Sequence, residues 1–421
     1  MKIENYFLTK LFYGIVVSII SIISSAKAQQ SNATDNAETA KKTDTVSYIV
    51  KYKIKSITTF TYRSNDSTLN DVKLESKQKI TYDKAGNYIG DLSENGTGKI
   101  ISRSESTYDS RNNMVESISY DSLNKISYSS KYYYDDLNRL FESSTSQPLN
   151  LYTYKPEDAG KYSTYTYRSK YDANGNVIEY TNDSSGTIVS KTLARFDIKN
   201  RTVYTAQYDH TTLQSTTTYL YDSKGAYTLT IEYYQTASRT QCSPSKNRTI
   251  EKFDERGNMI SSVSSTEENG VKSTTKTTYE YKYDKDKLLL LKTVVESNGD
   301  GYASKSTSLQ LNKYDKNGNL IESFSKYAGG GGNYTTKYKY NNNNSLIEQV
   351  SYNNNCMDKP TTIATYVYFP DSVTLKESSS VTFDYPSKYI DRYDERSLNM
   401  ESMSISQNGS SHTVYQYEYW E

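Results

Sequence analysis

The stretch that decides the fold reads Tyr171-Asp172-Ala173-Asn174-Gly175-Asn176-Val177-Ile178. An aspartate at the first corner of a type I turn accepts hydrogen bonds from backbone N–H groups two or three residues on. A glycine three residues later tolerates the positive φ that closes the turn. The tyrosine therefore ends one strand and the aliphatic residue opens the next. The stretch predicts a β-hairpin.

This Tyr-Asp unit recurs along most of the chain. Clear copies begin at Tyr82, Tyr171, Phe253 and Tyr314. Weaker copies begin at Tyr108, Tyr134, Phe196, Tyr221, Tyr283, Tyr340 and Tyr393, and a degenerate one begins at Tyr368. Most spacings are about 25 to 31 residues, a period typical of repeat architectures. The chain is therefore predicted to contain about 11 or 12 hairpin units.

Tyrosines alternate with polar residues in the strands that enter these turns, as in Tyr279-Glu280-Tyr281-Lys282-Tyr283. A period of two places the tyrosines on one face and Lys, Thr and Ser on the other. The hairpin units imply roughly twenty or more strands, whereas open sheets rarely exceed about ten strands without curling. We therefore predict an all-β fold: an elongated antiparallel meander of repeated β-hairpins, coiled into a shell, a trough or a solenoid.

The N-terminus resembles a cleavable signal peptide. Lys2 and Lys10 precede an apolar run from Leu11 to Ile23, and Ala26-Lys27-Ala28 forms an A-x-A cleavage site. We predict a signal peptide at residues 1–28, a flexible polar leader at 29–45 and a single repeat domain at 46–421. No later apolar stretch approaches the roughly 20 residues of a membrane helix, so we expect no transmembrane span after cleavage. The expected location is the periplasm, the cell surface or the extracellular space.

Composition narrows the class of partner. The net charge of +1 offers no steering toward nucleic acid, and 45 tyrosines against nine phenylalanines and one tryptophan mean that much of any core is tyrosine. Cys242 and Cys356 are the two cysteines. They could form a disulfide in an oxidising compartment, or they could remain free thiols.

Motifs for catalysis and cofactor binding are lacking. His210 and His412 are the two histidines, neither in a metal-ligand spacing, and the chain contains no G-x-S-x-G elbow or HExxH pair. Most aspartates lie where turns need them. We expect a protein that is not an enzyme and carries no cofactor.

Two segments space oxygen ligands somewhat like a calcium loop. They contain Asp172, Asn174, Asn176 and Glu179 in the first, and Asp315, Asn317, Asn319 and Glu322 in the second. The same Asp, Asn and Gly residues are also turn formers. We prefer the turn interpretation and keep calcium as the alternative.

The repeat unit resembles the YD repeat of the RHS, teneurin and insecticidal-toxin proteins, over roughly Tyr82 to Tyr393. The resemblance is clearest in Gly257-Asn258-Met259-Ile260, followed by Tyr279 to Asp284. It implies a spiralling β-shell and links to carbohydrate binding, adhesion or toxin encapsulation. Most units carry Asn where that family has Arg after the Gly, with Arg139 and Arg201 as exceptions. The self-cleaving core and toxin tail of RHS proteins are missing.

We therefore predict an exported, non-enzymatic, tyrosine-rich protein that acts by binding or scaffolding at the cell envelope, with an unknown protein or glycan ligand. The alternatives are a hydrolase of surface polysaccharide and a component of a toxin or adhesin assembly. Binding is expected in the residues that interrupt the repeat: Gln147 to Lys161, Ser238 to Arg248, Gly329 to Gly332, and Asn353 to Pro360.

Overall fold

A computed structural model describes residues 48–64, 71–149, 161–235, 245–268, 271–299, 302–327, 332–353, 359–370, 374–383 and 385–421. After a helical turn at 48–51, the described residues form mainly antiparallel strands, many of them joined by short turns. In this described part, no helix is long and apolar enough to cross a membrane. The predicted signal peptide and polar leader lie outside the described residues.

The strands are β1 (Ile54–Ser64), β2 (Lys73–Tyr82), β3 (Tyr88–Asn95), β4 (Ile100–Tyr108), β5 (Met114–Tyr120), β6 (Ile126–Tyr134), β7 (Leu140–Pro148), β8 (Tyr162–Tyr171), β9 (Val177–Ser184), β10 (Thr187–Phe196), β11 (Thr202–Asp209), β12 (Thr212–Tyr221), β13 (Tyr227–Gln235), β14 (Ser245–Phe253), β15 (Met259–Glu268), β16 (Val271–Asp284), β17 (Lys287–Gly299), β18 (Tyr302–Tyr314), β19 (Leu320–Lys326), β20 (Asn333–Tyr340), β21 (Leu346–Asn353), β22 (Pro360–Tyr368), β23 (Leu375–Thr382), β24 (Ser387–Tyr393), β25 (Asn399–Ser406) and β26 (Gly409–Tyr419).

The Tyr-Asp turns form as the sequence predicts. In the turn after β8, the Gly175 amide donates to the Asp172 carbonyl at 3.1 Å, and the Asp172 amide donates to the Asn176 carbonyl at 2.9 Å. Gly175 has a φ of 85°. Asparagine takes the same left-handed place in other copies, for example Asn200 with a φ of 59°. The turn is therefore built from its own short sequence, with either Gly or Asn at the closing position.

The same turn also forms at places outside the predicted Tyr-Asp repeats. Asn124 donates its amide to the Asp121 carbonyl at 3.0 Å, and Gly98 donates to the Asn95 carbonyl at 2.9 Å. Both turns lie between repeats of the Tyr-Asp series, at the opposite ends of the strands. The turn chemistry thus occurs at both ends of some hairpins.

Several of the Tyr-Asp hairpins contain a β-bulge next to the tyrosine. The pairing of β8 with β9 shifts register between Lys170 and Tyr171, so that Tyr171 pairs with Val177 and Ile178 is the additional residue. The same shift occurs at Tyr82, Phe253, Tyr314, Tyr340 and Tyr393. A bulge bends a strand and increases its twist. The recurring aliphatic residue after the turn is therefore a bulged position.

Contacts divide the chain into two compact units. Among the described residues, unit 1 comprises residues 48–51, Tyr108–Glu116 and Tyr128–Thr274, and unit 2 comprises Tyr52–Thr107, Ser117–Ser127 and Thr275–Glu421. In the described part of unit 1, a largely aromatic cluster is buried: Tyr219, Tyr227, Leu229 and Phe253. The Tyr227 and Phe253 rings stack with centroids 4.4 Å apart. All four residues lie on one face of the sheet, where tyrosine rings take the place of aliphatic side chains in close packing.

The sheet closes on itself. The 26 strands belong to one sheet, and the first strand, β1, is paired with β2 on one side and with β26 on the other. The pairing of β1 with β26 runs from Ile54 opposite Tyr419 to Ser64 opposite Ser410. This is the topology of a closed antiparallel β-barrel.

The predicted elongated meander, coiled into a shell, trough or solenoid, is therefore wrong. Such an arrangement leaves the first and last strands as separate edges, and here they are partners. The physical reason is that an edge strand exposes a row of unpaired N–H and C=O groups, which closure removes. Hairpin patterns are local and contain no information about that pairing.

Candidate functional site: the two faces of the sheet

The predicted calcium-loop residues of the first segment satisfy one another within the turn. The Asp172 carboxylate accepts hydrogen bonds from the Asn174 and Asn176 amides at 2.9 and 2.8 Å, and from the Asn176 side chain at 2.9 Å. Glu179 lies elsewhere, on β9, where it pairs with Lys170 at 2.7 Å. The structure therefore brings together three of the four residues.

The second segment repeats this arrangement. Asp315 accepts from the Asn317 and Asn319 amides and from the Asn319 side chain at 2.8 to 2.9 Å. Glu322 pairs with Lys313 at 2.6 Å. Among the described residues, no three His, Cys, Asp or Glu side chains lie close enough to hold a metal ion. Calcium binding at these turns stays the alternative to the preferred turn interpretation.

Hydrogen bonding within the turns lowers the pKa of their aspartates. For Asp109, Asp172 and Asp315, the largest cause is the bond from the side chain of the asparagine four residues on. Backbone amides of the turn add to it. These bonds favour the ionised carboxylate, because a charged oxygen is the better acceptor.

This pKa shift predicts acid sensitivity. A carboxyl group whose pKa is lower in the folded state contributes stability above its ordinary value of 3.8, and this contribution is lost as the pH falls through the lower folded value. We expect the urea midpoint of the protein to fall as the pH drops below 3.8. A variant with Asp109, Asp172 and Asp315 replaced by Asn should lose part of that dependence, because asparagine does not titrate.

The chain offers its own precedent for this variant. Asn341 begins the turn after β20, and its side-chain oxygen accepts from the Asn343 and Ser345 amides at 2.9 Å. The asparagine variant should therefore fold. An equally steep loss of stability in acid for both proteins would show that these carboxylates do not cause it.

Charged side chains concentrate on one side of the strands, the charged face. In β8 this face holds Thr166, Arg168 and Lys170, and the opposite face holds Tyr165 and Tyr167. Arg168 pairs with Glu142 of β7 at 2.8 Å and Lys170 with Glu179 of β9 at 2.7 Å. Each exposed pair contributes on the order of 0–1 kcal/mol. The informative feature of these ion pairs is therefore that they lie on the same face of successive strands, and not how much they stabilise the fold.

The pairs follow a motif that the sequence analysis missed. In each case a Lys or Arg directly precedes the tyrosine that ends the first strand of a Tyr-Asp hairpin. It lies opposite a Glu on the second strand, and this Glu directly follows the bulged residue. The pairs are Lys170 with Glu179, Lys313 with Glu322, Lys339 with Glu348, and Arg392 with Glu401. Two of these glutamates, Glu179 and Glu322, are the candidate calcium ligands that lie outside the turns. The signal that could have revealed the pairing is the recurrence of a cation and a glutamate nine residues apart.

The opposite side of the sheet, the tyrosine face, carries few charges. Its mid-strand ionisable residues include Asp91, Glu251 and Asp391. Asp91 accepts hydrogen bonds from the Tyr88 and Ser104 hydroxyls, and Asp391 accepts one from Ser402 at 2.6 Å. Most other positions are Ser, Thr, Gln or Tyr.

Tyrosines at the strand ends fasten each hairpin to the preceding strand. The Tyr221 hydroxyl donates to the Thr202 carbonyl at 3.0 Å, across the pair β11 and β12. Equivalent bonds of 2.7 to 3.1 Å come from Tyr134, Tyr171, Tyr314, Tyr340, Tyr368 and Tyr417. Each satisfies both the phenol and a carbonyl beside a turn, and such a bond stabilises by about 1 kcal/mol. The recurring tyrosine thus has a defined structural role.

Hydroxyl groups in the middle of the tyrosine face pair across strands. Ser130 lies 2.8 Å from Thr145, Thr249 donates to Ser264 at 3.2 Å, and Thr336 lies 3.3 Å from Ser351. A hydroxyl that already has a protein partner costs less to remove from water than a free one. The tyrosine face is therefore polar in composition, but part of its hydrogen-bonding capacity is used by contacts within the face itself.

The remaining predicted residues are separated. His210 follows β11 and contacts Asp209 at 2.8 Å, whereas His412 on β26 contacts Glu401 at 2.6 Å. Cys242 and Cys356 lie outside the described residues, as do most of the loops that interrupt the repeat. The disulfide, and the expectation that the chain is not an enzyme, stay predictions.

Comparison with known proteins gives limited likeness. No family model matches, and no curated protein matches. A porin-like protein from Bacteroides uniformis is 10% identical, with 61% of this chain and 94% of that chain covered and a TM-score of 0.24. The β domain of the Bordetella autotransporter BrkA is 6% identical, with 87% and 99% covered and a TM-score of 0.08. At such low TM-scores, neither likeness informs the function of this chain.

The expected membership of the YD-repeat proteins is wrong. No family model supports it, and a sheet whose first and last strands pair is a closed barrel and not a spiralling shell. The functions inferred from that resemblance fall with it, including carbohydrate binding, adhesion and a place in a toxin assembly. The predicted binding or scaffolding role of an open repeat surface loses its basis because the sheet has no open ends.

Proposed function

We propose that this chain is an outer-membrane β-barrel whose charged face lines a water-filled channel for polar solutes. The observation that carries the proposal is the segregation of ionised side chains on one face of a closed antiparallel sheet. Lipid offers no hydrogen bonds to a backbone, so only helices and closed barrels cross it. The described part of the chain contains 26 strands, an even number within the range of bacterial outer-membrane barrels.

The free-energy cost of placing a charged side chain in lipid indicates which face of the sheet meets lipid and which meets water. An arginine or lysine facing lipid at the bilayer midplane costs about 2–4 kcal/mol. The charged face repeats such residues from strand to strand, as with Lys305, Lys313 and Lys339 in unit 2. That face therefore belongs against water. The tyrosine face, with its cross-strand hydroxyl pairs, is the side assigned to lipid.

Aromatic residues at both strand ends of the tyrosine face support this assignment. The tyrosines before the Tyr-Asp turns occupy one end. In unit 2, the other end carries Tyr302, Tyr327, Tyr334 and Tyr389, all exposed. The Tyr327 and Tyr334 rings meet edge to face with centroids 6.0 Å apart. Tyrosine is enriched at membrane–water interfaces, where its ring and its hydroxyl meet different surroundings.

Planar-bilayer recording tests the proposal. The full-length protein, refolded in detergent, should insert into bilayers and give discrete conductance steps. It should also migrate differently on SDS gels with and without boiling, because a folded barrel resists the detergent. Conductance arises because a closed sheet with a charged interior holds water.

A matched variant serves as the control for this experiment. Thr145 on the tyrosine face and Ser144 on the charged face are neighbours on β7. Thr145→Arg should reduce insertion, whereas Ser144→Arg should leave it intact. Wild-type protein that stays dispersed without detergent and never conducts would contradict the proposal.

A further inference from the structure

We infer that the channel takes uncharged or zwitterionic polar solutes and discriminates weakly between cations and anions. This inference rests on the proposed function and narrows its substrate class. Its basis is the arrangement of charges on the charged face. Selectivity for ions of one sign requires an excess of opposite fixed charge along the passage.

The described ionised side chains of this face are largely neutralised in pairs. In unit 2, Lys313 pairs with Glu322 at 2.6 Å and Lys339 with Glu348 at 2.5 Å. Lys305 contacts Glu296 at 2.7 Å. Each pair joins neighbouring strands, so opposite charges lie within a few ångströms. At distances beyond a Debye length of about 8 Å, such pairs contribute little field.

Larger clusters mix both signs and each leaves one unit of charge over, negative in unit 2 with the histidine neutral and positive in unit 1. Arg392 contacts both Glu377 and Glu401 at 2.9 and 2.5 Å, and Glu401 also contacts His412 at 2.6 Å. These residues lie on four consecutive strands, β23 to β26. In unit 1, Glu232 contacts both Lys246 and Arg248, at 3.4 and 3.7 Å. Neither cluster presents a block of one sign.

A few cations of this face lie against tyrosine rings. Lys191 lies 5.1 Å from the Tyr208 ring, Arg195 lies 5.3 Å from Tyr204, and Lys337 lies 5.6 Å from Tyr352. A ring attracts a cation but does not cancel its charge. Lys252, Lys326 and Lys388 lie on the same face and have no ion pair among the described residues. These six cations set the direction of any remaining preference, which is toward anions.

A wall of alternating charges suits a solute with hydrogen-bonding groups and no net charge. Paired carboxylates still accept hydrogen bonds, and paired ammonium and guanidinium groups still donate them. A neutral polyol or a zwitterion such as glycine can exchange water for these groups without leaving a fixed charge unbalanced. A strongly charged ion gains less from such a wall.

The reversal potential in a KCl gradient across a planar bilayer tests this inference. We expect permeabilities of K⁺ and Cl⁻ within about a factor of three of each other, with a slight preference for Cl⁻. The variant Glu322→Gln/Glu348→Gln should shift the preference toward Cl⁻. The variant Lys313→Gln/Lys339→Gln should shift it toward K⁺.

A charge-swapped control keeps the pairing: Lys313→Glu/Glu322→Lys should behave like the wild type. Liposomes holding the protein should swell in isotonic glycine as readily as in glucose, and more slowly in potassium gluconate. Wild-type selectivity above about tenfold, or no shift in either neutralised variant, would overturn the inference while leaving the channel in place. An absence of conductance would instead refute the proposed function.

Discussion

Removing β26 by ending the chain before Gly409 is expected to abolish the folded barrel. This strand pairs with β25 along Glu401 to Ser406 and with β1 along Ile54 to Ser64. Its loss creates two edges whose N–H and C=O groups have no partners. Exposed edges of this length are sites of aggregation in water and are not tolerated in lipid. Loss of the heat-dependent gel shift and of a single defined peak in size exclusion would measure the effect.

Cross-linking of the first and last strands provides the complementary test. Thr59 pairs with Tyr415, and the next pair joins Phe60 and Val414. One of two successive antiparallel pairs is the closely spaced, non-hydrogen-bonded type. Cysteines are introduced in place of Thr59 and Tyr415 in one variant, and of Phe60 and Val414 in another, with Cys242 and Cys356 changed to Ser in both. One of these two introduced pairs should oxidise readily. The control is a variant with cysteines at Thr59 and Thr413, two positions that are out of register with each other. Equal oxidation of all three would contradict the described register.

Replacing Gly175 by valine is expected to destabilise its hairpin strongly. Gly175 has a φ of 85°, and an added Cβ would meet no atom within 4 Å. The cost is therefore conformational and not steric contact with a neighbour. A non-glycine residue held in the left-handed region costs of order 1–3 kcal/mol, and β-branched residues lie at the upper end. The urea midpoint and hydrogen exchange of β8 and β9 would measure this loss.

Gly175→Asn is the matched control, since the chain already uses asparagine at this place. Asn112, Asn138, Asn200 and Asn344 hold φ between 59° and 65° at equivalent positions. Asparagine also accepts the left-handed conformation at lower cost than other residues with a Cβ. We expect a loss well below that of valine. Equal losses for both variants would show that the turn depends on something other than this backbone angle.

The turns could be predicted from the sequence because each is complete within about five residues. Asp172, Gly175 and Asn176 supply the acceptor, the left-handed residue and the side-chain donor in one short stretch. The strands followed for a similar reason, since a period of two is visible in any single strand. The bulge at Tyr171 was not predicted, because it is defined only by the partner strand.

The ion pairs of the charged face could not be predicted from the sequence. Glu179 and Glu322 are close in sequence to turn aspartates, and so they were grouped with them. In the structure, alternation turns them away from the turn and the antiparallel register places Lys170 and Lys313 opposite. A residue's partner in a sheet depends on register, and register is a property of two strands.

The sequence by itself determined the hairpins of this protein, their spacing and the separation of charged from uncharged positions, because these follow from bonds within a few residues and from alternation. Only the tertiary structure decided that the sheet closes. The pairing of β1 with β26 joins Thr59 to Tyr415, and backbone hydrogen bonds between strands are the same whatever side chains they carry. Closure is therefore a property of two strands that are far apart in the chain, which no single repeat records.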